Sequence, residues 1–171
     1  MRWCAVTWND MGVNKHRPHV FVLPEDDANR QLAVGFALAI DMAHSRQIDV
    51  LPVAGGWTQV LERFLSDEVV DMERCPHRYM VLLIDFDSNE RRLSDASSRI
   101  PTGLRDRVFI LGAWSEPEDL RRAGLGSYEE LGSAMARDCH QDTAATWDHN
   151  LLRHNAGELT RVRQKVRPIL F

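Results

Sequence analysis

The sequence has little cysteine or lysine and no long apolar run. Its three cysteines, Cys4, Cys75 and Cys139, are widely spaced and form no CxxC pair, which excludes a zinc knuckle and a dense disulfide framework. We therefore expect three reduced thiols in the core. No apolar run approaches the roughly 20 residues that cross a bilayer, and the first residues lack a secretory signal, so we expect a soluble, cytoplasmic protein without membrane contact.

Charge of one sign does not dominate either. The 21 basic and 25 acidic residues give a formal net charge of −4, which argues against coating of nucleic acid by bulk electrostatics and leaves local binding open. Only two basic residues are lysines. The arginines suit phosphate and carboxylate groups, although a GC-rich genome produces the same bias. The sequence also contains no GxSxG serine elbow and no Walker phosphate loop.

The 171 residues, 44% apolar and 27% charged, are typical of one globular domain. Four short apolar runs, rich in β-branched or aromatic residues, predict buried strands. They cover residues 19–23, 48–53, 79–84 and 108–111. Apolar residues recur at steps of three and four over 27–45 and 58–72, which predicts two helices. Strand and helix therefore alternate, as in a parallel sheet that helices cover on both faces.

The rest of the chain is predicted to contain one loop and several helices. Residues 88–107 have little periodic apolar content, so we expect a surface loop with at most one helical turn. Helices are expected over 117–123, 143–154 and 157–166, and another after Ser127, which forms a capping-box pattern with Glu130. The run at 3–8 is ambiguous and is read as an additional edge strand or as irregular structure.

These elements predict an α/β fold with a four-stranded, mainly parallel sheet, flanked by helices and followed by a C-terminal helical extension. We expect residues 1–171 to form a single domain, with an α/β core at 17–119 and a helical cap at 120–171. Loops that follow parallel strands commonly carry functional residues, so the functional site is expected there.

Acidic residues follow three of the four predicted strands. Glu25 comes after the first strand, Asp85 and Asp87 after the third, and Glu116 shortly after the fourth. Because the carboxyl ends of parallel strands meet at one edge of a sheet, we expect these side chains to converge. Clustered carboxylates raise one another's pKa unless a cation neutralises them, and their oxygens suit Mg²⁺ or Mn²⁺. The sequence therefore predicts a divalent-metal site, in which Asp85 and Asp87 share one ion or hold two.

Two neighbouring features are expected to be structural. The acids Asp26, Asp27 and Glu118 fall at predicted helix starts, where negative charge complements the helix dipole. Gly55-Gly56-Trp57 follows the second strand without a nearby lysine, so it is expected to be a tight strand-to-helix turn rather than a phosphate loop.

The order of the acids resembles the TOPRIM domain of topoisomerases, primases and the overcoming-lysogenisation-defect nucleases. The resemblance covers residues 17–119. It implies that Glu25 is the first-strand glutamate of the family, acting as metal ligand or general base, and that Asp85 and Asp87 are its metal-binding DxD pair. Glu116 is then the candidate for the further acid of the nuclease branch, which assists a second ion. The implied cofactor is Mg²⁺ or Mn²⁺.

The sequence departs from the family pattern at two positions. The family often has Gly directly after the glutamate and Asp four residues beyond it, where this chain has Asp26 and Asn29. Asn29 is expected to make a weaker contact with metal or phosphate. Neither a strand-passage tyrosine domain nor a zinc module accompanies the core, which favours a small nuclease or a partner-dependent subunit over a complete topoisomerase or primase.

Basic residues in two segments are candidates for contacts with nucleic acid, and DNA is favoured over RNA. Arg91 and Arg92 lie in the predicted loop after the DxD pair, and Arg161, Arg163 and Lys165 lie in the most basic stretch, near the C-terminus. Other interpretations stay open. The loop arginines balance nearby acids in solvent, and the C-terminal segment packs on the core as an amphipathic helix or docks on an acidic partner.

Three functions are compatible with the sequence. The first is metal-dependent phosphodiester hydrolysis of nucleic acid by a TOPRIM-type nuclease. The second is a non-catalytic TOPRIM-like subunit that binds a larger partner, such as the ATPase to which the nuclease branch is often joined. The third is a phosphatase similar to the haloacid-dehalogenase family, with Asp85 and Asp87 as nucleophile and acid. Against the third, Asn89 stands where that family has Thr or Val, and two strand-helix units precede the pair.

Overall fold

The computed structural model describes residues 12–171, so the ambiguous run at 3–8 lies outside the described residues. Four strands form one sheet: β1 (His19–Pro24), β2 (Ile48–Val50), β3 (Arg78–Leu83) and β4 (Val108–Leu111). All neighbours pair in parallel, in the order β2-β1-β3-β4. The predicted α/β fold with a four-stranded parallel sheet is therefore confirmed. Because the strand order reverses at β1, the crevice between the carboxyl ends of β1 and β3 is where sheets of this order bind ligands.

Helices surround the sheet on both faces. Those that the structure describes are α1 (Asp27–Leu38), α2 (Trp57–Arg63), α3 (Val69–Arg74), α4 (Arg92–Ser98), α5 (Pro117–Arg122), α6 (Tyr128–Gln141), α7 (Ala156–Lys165) and α8 (Arg167–Leu170). A π-helical stretch, Phe64–Glu68, joins α2 to α3, and short 3₁₀ helices cover Ser45–Gln47, Thr102–Arg107 and Arg153–Asn155. The C-terminal helical extension is thus present as α6, α7 and α8.

Each face of the sheet packs against its own set of helices. Successive strand residues point to opposite faces. Val20 and Val22 of β1 belong to one core cluster, which α1, α6, α7 and α8 complete. Phe21 and Leu23 belong to a second cluster, which α2, α3 and α4 complete. Since both faces are buried, the strands are mainly apolar, which is why they are visible in the sequence as short apolar runs.

Helices α1 and α6 approach so closely that both require glycine at their crossing. A Cβ atom on Gly132 would overlap the Leu32 carbonyl oxygen, and a Cβ on Gly35 would overlap the Glu129 backbone. The two helix backbones therefore pack directly on each other, and the C-terminal helices share one core with the sheet.

Within residues 12–171, the outer edge of β4 forms hydrogen bonds with side chains and not with another strand. Oδ1 of Asn155 accepts from the Gly112 amide at 3.1 Å, and Nδ2 of Asn155 donates to the Gly112 carbonyl at 2.8 Å. Glu158 accepts from the Ile110 amide at 2.9 Å. These bonds satisfy backbone groups that an edge strand leaves open, so the segment around α7 closes this side of the sheet.

The prediction of a loop over 88–107 is wrong, because this segment contains α4 and a 3₁₀ helix. Its few apolar residues include Ala96, Ile100 and Leu104, which are all buried in the second core cluster. Ala96 lies in α4, Ile100 follows that helix and Leu104 lies in the 3₁₀ helix, so the three residues share no single helical face. They therefore leave no periodic pattern in the sequence.

The prediction of a helix over 143–154 is also wrong, since this segment consists of turns that end in a 3₁₀ helix. The carboxylate of Asp138 accepts hydrogen bonds of 2.6 Å from the Thr143 hydroxyl and from the Thr146 amide, which hold the chain in a turn after α6. The capping box at the start of α6, between Ser127 and Glu130, is confirmed.

The cysteines do not all behave as expected. Cys139 is free and buried, and burial raises the pKa of its thiol to about 11, so it is an inert core thiol. Cys75 is also buried but takes part in a disulfide bond, so the expectation of a reduced thiol is wrong at this position.

Candidate functional site

The ends of β1 and β3 bring Glu25 and Asp85 together. The two strands pair in register, with Pro24 opposite Leu83, and the Glu25 amide continues the ladder by donating to the Leu83 carbonyl at 2.9 Å. The Glu25 side chain then reaches across, and its Oε2 accepts a hydrogen bond of 2.8 Å from the Asp85 amide. Two acids that are distant in the sequence are thus in direct contact at the carboxyl edge of the sheet.

A buried asparagine links Asp85 to the start of α1. Nδ2 of Asn29 donates to Oδ1 of Asp85 at 3.0 Å and to Oδ1 of Asp26 at 3.1 Å. Asp26 is the N-cap of α1 and also accepts from the Asn29 amide, as expected for an acid at a helix start. Asn29 is fully buried, yet its Oδ1 has no hydrogen-bond partner among the described residues. A buried acceptor of this kind beside two carboxylates requires an explanation, such as a bound ion.

The backbone turns sharply at the second aspartate of the DxD pair. Asp87 and Ser88 have φ values of 48° and 55°, in the left-handed region that non-glycine residues rarely adopt. The Asp87 side chain is exposed, and its Oδ2 pairs with Nη2 of Arg92 at 2.8 Å. The two aspartates therefore face different partners, because Asp85 contacts Asn29 whereas Asp87 contacts Arg92. Strained backbone of this kind clusters at functional sites.

Burial and mutual repulsion raise the pKa of both joined acids. For Asp85, burial is the largest cause; the hydrogen bond from Asn29 opposes it, the charges of Glu25, Asp26 and Asp87 add to it, and the pKa reaches about 7. Burial also raises the pKa of Glu25, against the hydrogen bond from the Asp85 amide. A nearby cation would favour the ionised form of each acid. Perturbed acids in a crevice are typical of functional sites.

The site offers oxygen donors that suit a divalent cation. Among the described residues, Oε1 of Glu25 and Oδ2 of Asp85 accept no hydrogen bond, and Oδ1 of Asn29 is also free. Mg²⁺ commonly takes one or two carboxylates and completes its shell with water and substrate oxygens. No three His, Cys, Asp or Glu side chains within residues 12–171 are arranged to hold a metal ion. The donor set therefore fits an ion that also draws on the amide oxygen, water or substrate.

Glu116 does not contact this cluster in the described part of the chain. It is exposed, it is the N-cap residue of α5, and its side chain forms no capping bond. The acids whose charges raise the pKa of Asp85 are Glu25, Asp26 and Asp87. Glu118 lies in the first turn of α5, as expected for an acid that complements the helix dipole.

The residues predicted to contact nucleic acid fall into two groups. Arg91 and Lys165 are exposed. The other three form contacts within the protein: Arg92, Arg161 and Arg163. Arg161 pairs with a glutamate of its own helix and donates to the Val108 carbonyl, which fastens α7 to β4. Arg163 donates to backbone carbonyls at the end of α6 and in the turn that follows it.

The sequence reasoning missed three aromatic contacts near the site. The glycine turn behaves as expected, with φ values of 97° and 156°, but it also places Trp57 against Arg92. Phe86, between the two aspartates, packs edge-on against His154 with ring centroids 4.5 Å apart, and His154 also contacts Trp114. Burial lowers the pKa of His154 to about 4, so the ring is neutral. Residues this distant in the sequence share no periodic pattern, so no local signal identifies them.

Comparisons with protein-family models, curated proteins and solved structures found no match for this chain. The TOPRIM resemblance stays a prediction. Among the described residues, no helix has the length and apolar character needed to cross a membrane.

Proposed function

We propose that this protein is a divalent-metal-dependent nuclease of the TOPRIM type, which hydrolyses phosphodiester bonds of nucleic acid in the cytoplasm, with DNA favoured over RNA. The observation that carries the proposal is the hydrogen bond from the Asp85 amide to Glu25, because it joins the two acid positions on which the resemblance depends. Their place between β1 and β3 supports it, since this is the ligand-binding crevice of such sheets.

The surroundings of each residue indicate its role. Glu25, Asp85 and the free amide oxygen of Asn29 would hold Mg²⁺ or Mn²⁺, which supplies stabilisation of phosphate charge and activation of water. Asn29 orients Asp85 through its Nδ2, and the Asp85 amide orients Glu25. Glu25 would act as a metal ligand or as the general base; its pKa is raised in the metal-free protein, and a bound cation would lower it again. Asp87 is held by its ion pair with Arg92.

Cleavage of plasmid DNA tests this proposal. The full chain with Mn²⁺ is expected to nick or linearise the plasmid, and EDTA is expected to stop the reaction. Asp85→Ala removes a carboxylate from the cation site, so its cleavage rate is expected to fall about 100-fold or more. Asp106→Ala is the matched control, because Asp106 is an exposed aspartate at the opposite, amino end of β4 and its loss leaves the site intact.

Four results would contradict the proposal. Equal cleavage by wild type and Asp85→Ala would show that Asp85 takes no part in the reaction. Cleavage that continues in EDTA would show that the reaction needs no metal ion. An inactive chain that co-purifies with an ATPase would favour the non-catalytic binding subunit. Hydrolysis of an aryl phosphate with a trapped aspartyl-fluoride complex would favour the phosphatase.

A further inference from the structure

Arg92 is a buried arginine that contacts both aspartates of the DxD pair. Its side chain is 9% exposed, and it donates from Nη1 to the Asp85 carbonyl at 3.0 Å and from Nη2 to Oδ2 of Asp87 at 2.8 Å. The guanidinium also lies over the Trp57 ring, 4.3 Å from its centroid. Contacts in three directions fix the plane of the guanidinium. Arg92 is therefore a built part of the site and not a mobile surface charge.

The acids of the site differ in whether they form an ion pair. Within residues 12–171, Asp87 pairs with an arginine, whereas neither Glu25 nor Asp85 forms an ion pair. A guanidinium remains charged throughout the physiological pH range, and a buried one is tolerated when it is paired. Arg92 thus places a permanent positive charge at Asp87 and forms no ion pair with Glu25 or Asp85, although its charge also acts on Glu25 from a greater distance.

We propose that Arg92 is the resident cation of the site: it neutralises Asp87, so that the protein binds a single divalent cation, at Glu25, Asp85 and Asn29. This inference rests on the proposed function, and it departs from the two-ion arrangement that the resemblance implies. A second divalent cation on Asp87 would lie close to the guanidinium, where repulsion in a partly buried site is strong. Arg92 thereby takes over the neutralising role that a second ion has in two-metal sites.

Titration of the metal-free full chain with Mn²⁺, followed by calorimetry and by electron paramagnetic resonance, counts the bound ions. Wild type is expected to bind one Mn²⁺ per chain. Arg92→Gln removes the charge but keeps a hydrogen-bond donor, so we expect it to bind a second Mn²⁺ or to bind the first at least about tenfold more tightly. Arg92→Lys keeps the charge and is expected to bind one Mn²⁺ with nearly wild-type affinity.

Arg99→Gln is the matched control. Arg99 is exposed and lies at the opposite end of α4, so this variant makes the same change of charge on the same helix, away from the acids. Its Mn²⁺ binding is expected to equal that of wild type. Circular dichroism and thermal melting verify that each variant is folded, and the ion count of wild type tests the inference without any variant.

The possible results separate this inference from the proposed function. Two ions on wild type, or one ion with unchanged affinity in folded Arg92→Gln, would overturn the resident-cation inference and leave the nuclease proposal standing. Weaker Mn²⁺ binding by both Arg92 variants would also overturn it, because Arg92 would then act as a scaffold for the loop. Wild type that binds no Mn²⁺ would overturn both proposals.

Discussion

At the scale of single residues, the amide of Asn29 can donate hydrogen bonds to neighbouring carboxylates, which an aspartate at this position could not do. Its Nδ2 donates to Asp26 and to Asp85 at the same time, whereas an aspartate would have added another negative charge to a cluster that already raises its own pKa values. The amide keeps an oxygen free on its other side. Asn29 therefore both lowers the repulsion between the acids and contributes a neutral donor to the site.

The raised pKa of Asp85 predicts a pH-dependent stability. In the metal-free folded protein Asp85 keeps its proton up to a pH of about 7, whereas the unfolded chain loses it near the ordinary pKa of 3.8. The folded state binds more protons in this window, so the contribution of Asp85 to the free energy of unfolding falls as pH rises through it. Asp85→Asn cannot ionise, and its stability relative to wild type is expected to increase by on the order of 3 kcal/mol between pH 4 and pH 7.5.

Urea unfolding in EDTA at several pH values measures this difference. The comparison between the two proteins is needed because His154 acts in the opposite sense: its pKa is lowered, so its contribution to stability is lost as pH falls. His154 is present in both proteins and cancels in the comparison. Parallel stability profiles for wild type and Asp85→Asn would show that Asp85 is not held protonated by its surroundings.

At the scale of helices and strands, close contact between α1 and α6 is the feature most sensitive to substitution. Gly132→Ala would add a methyl group where the Leu32 carbonyl oxygen lies. We expect a loss of about 3 kcal/mol or more in the free energy of unfolding, although alanine is by itself the better helix former. Urea denaturation with circular dichroism measures the loss.

Gly157→Ala provides the control for this substitution. Gly157 is an exposed residue of α7, and an added methyl group would meet no atom within 4 Å. Its stability is expected to stay unchanged or to rise by up to about 1 kcal/mol. A Gly132→Ala protein as stable as this control would show that α1 and α6 can move apart with little loss in the free energy of unfolding.

At the scale of the whole molecule, the segment after residue 119 is part of the core. One face of the sheet, which includes Val20, Val22 and Phe109, is buried by helices from both the first and the last thirds of the chain. The edge of β4 also takes its hydrogen bonds from Asn155 and Glu158. The α/β part and the C-terminal helices therefore depend on each other for burial and for hydrogen bonds.

Removal of residues 120–171 tests this dependence. The shortened chain exposes an apolar sheet face and leaves the backbone groups of β4 unpaired, so we expect it to aggregate or to give a poorly dispersed NMR spectrum without a cooperative thermal transition. The full chain is expected to unfold in one transition. A shortened chain that melts cooperatively would show instead that the C-terminal helices are an independent cap.

The sequence by itself determined the strands, the helix caps and the order of the acids, because these depend on neighbours within a few residues. Strand β4 lies at its predicted position, and the capping box of Ser127 forms as the spacing indicates. The tertiary structure decided which acids meet. The contact between Glu25 and Asp85 spans 60 residues. The side chains that neutralise a carboxylate are brought to it by packing between elements, and local periodicity in the sequence does not predict that packing. For the same reason only the fold placed Arg92 inside the site and Glu116 outside it.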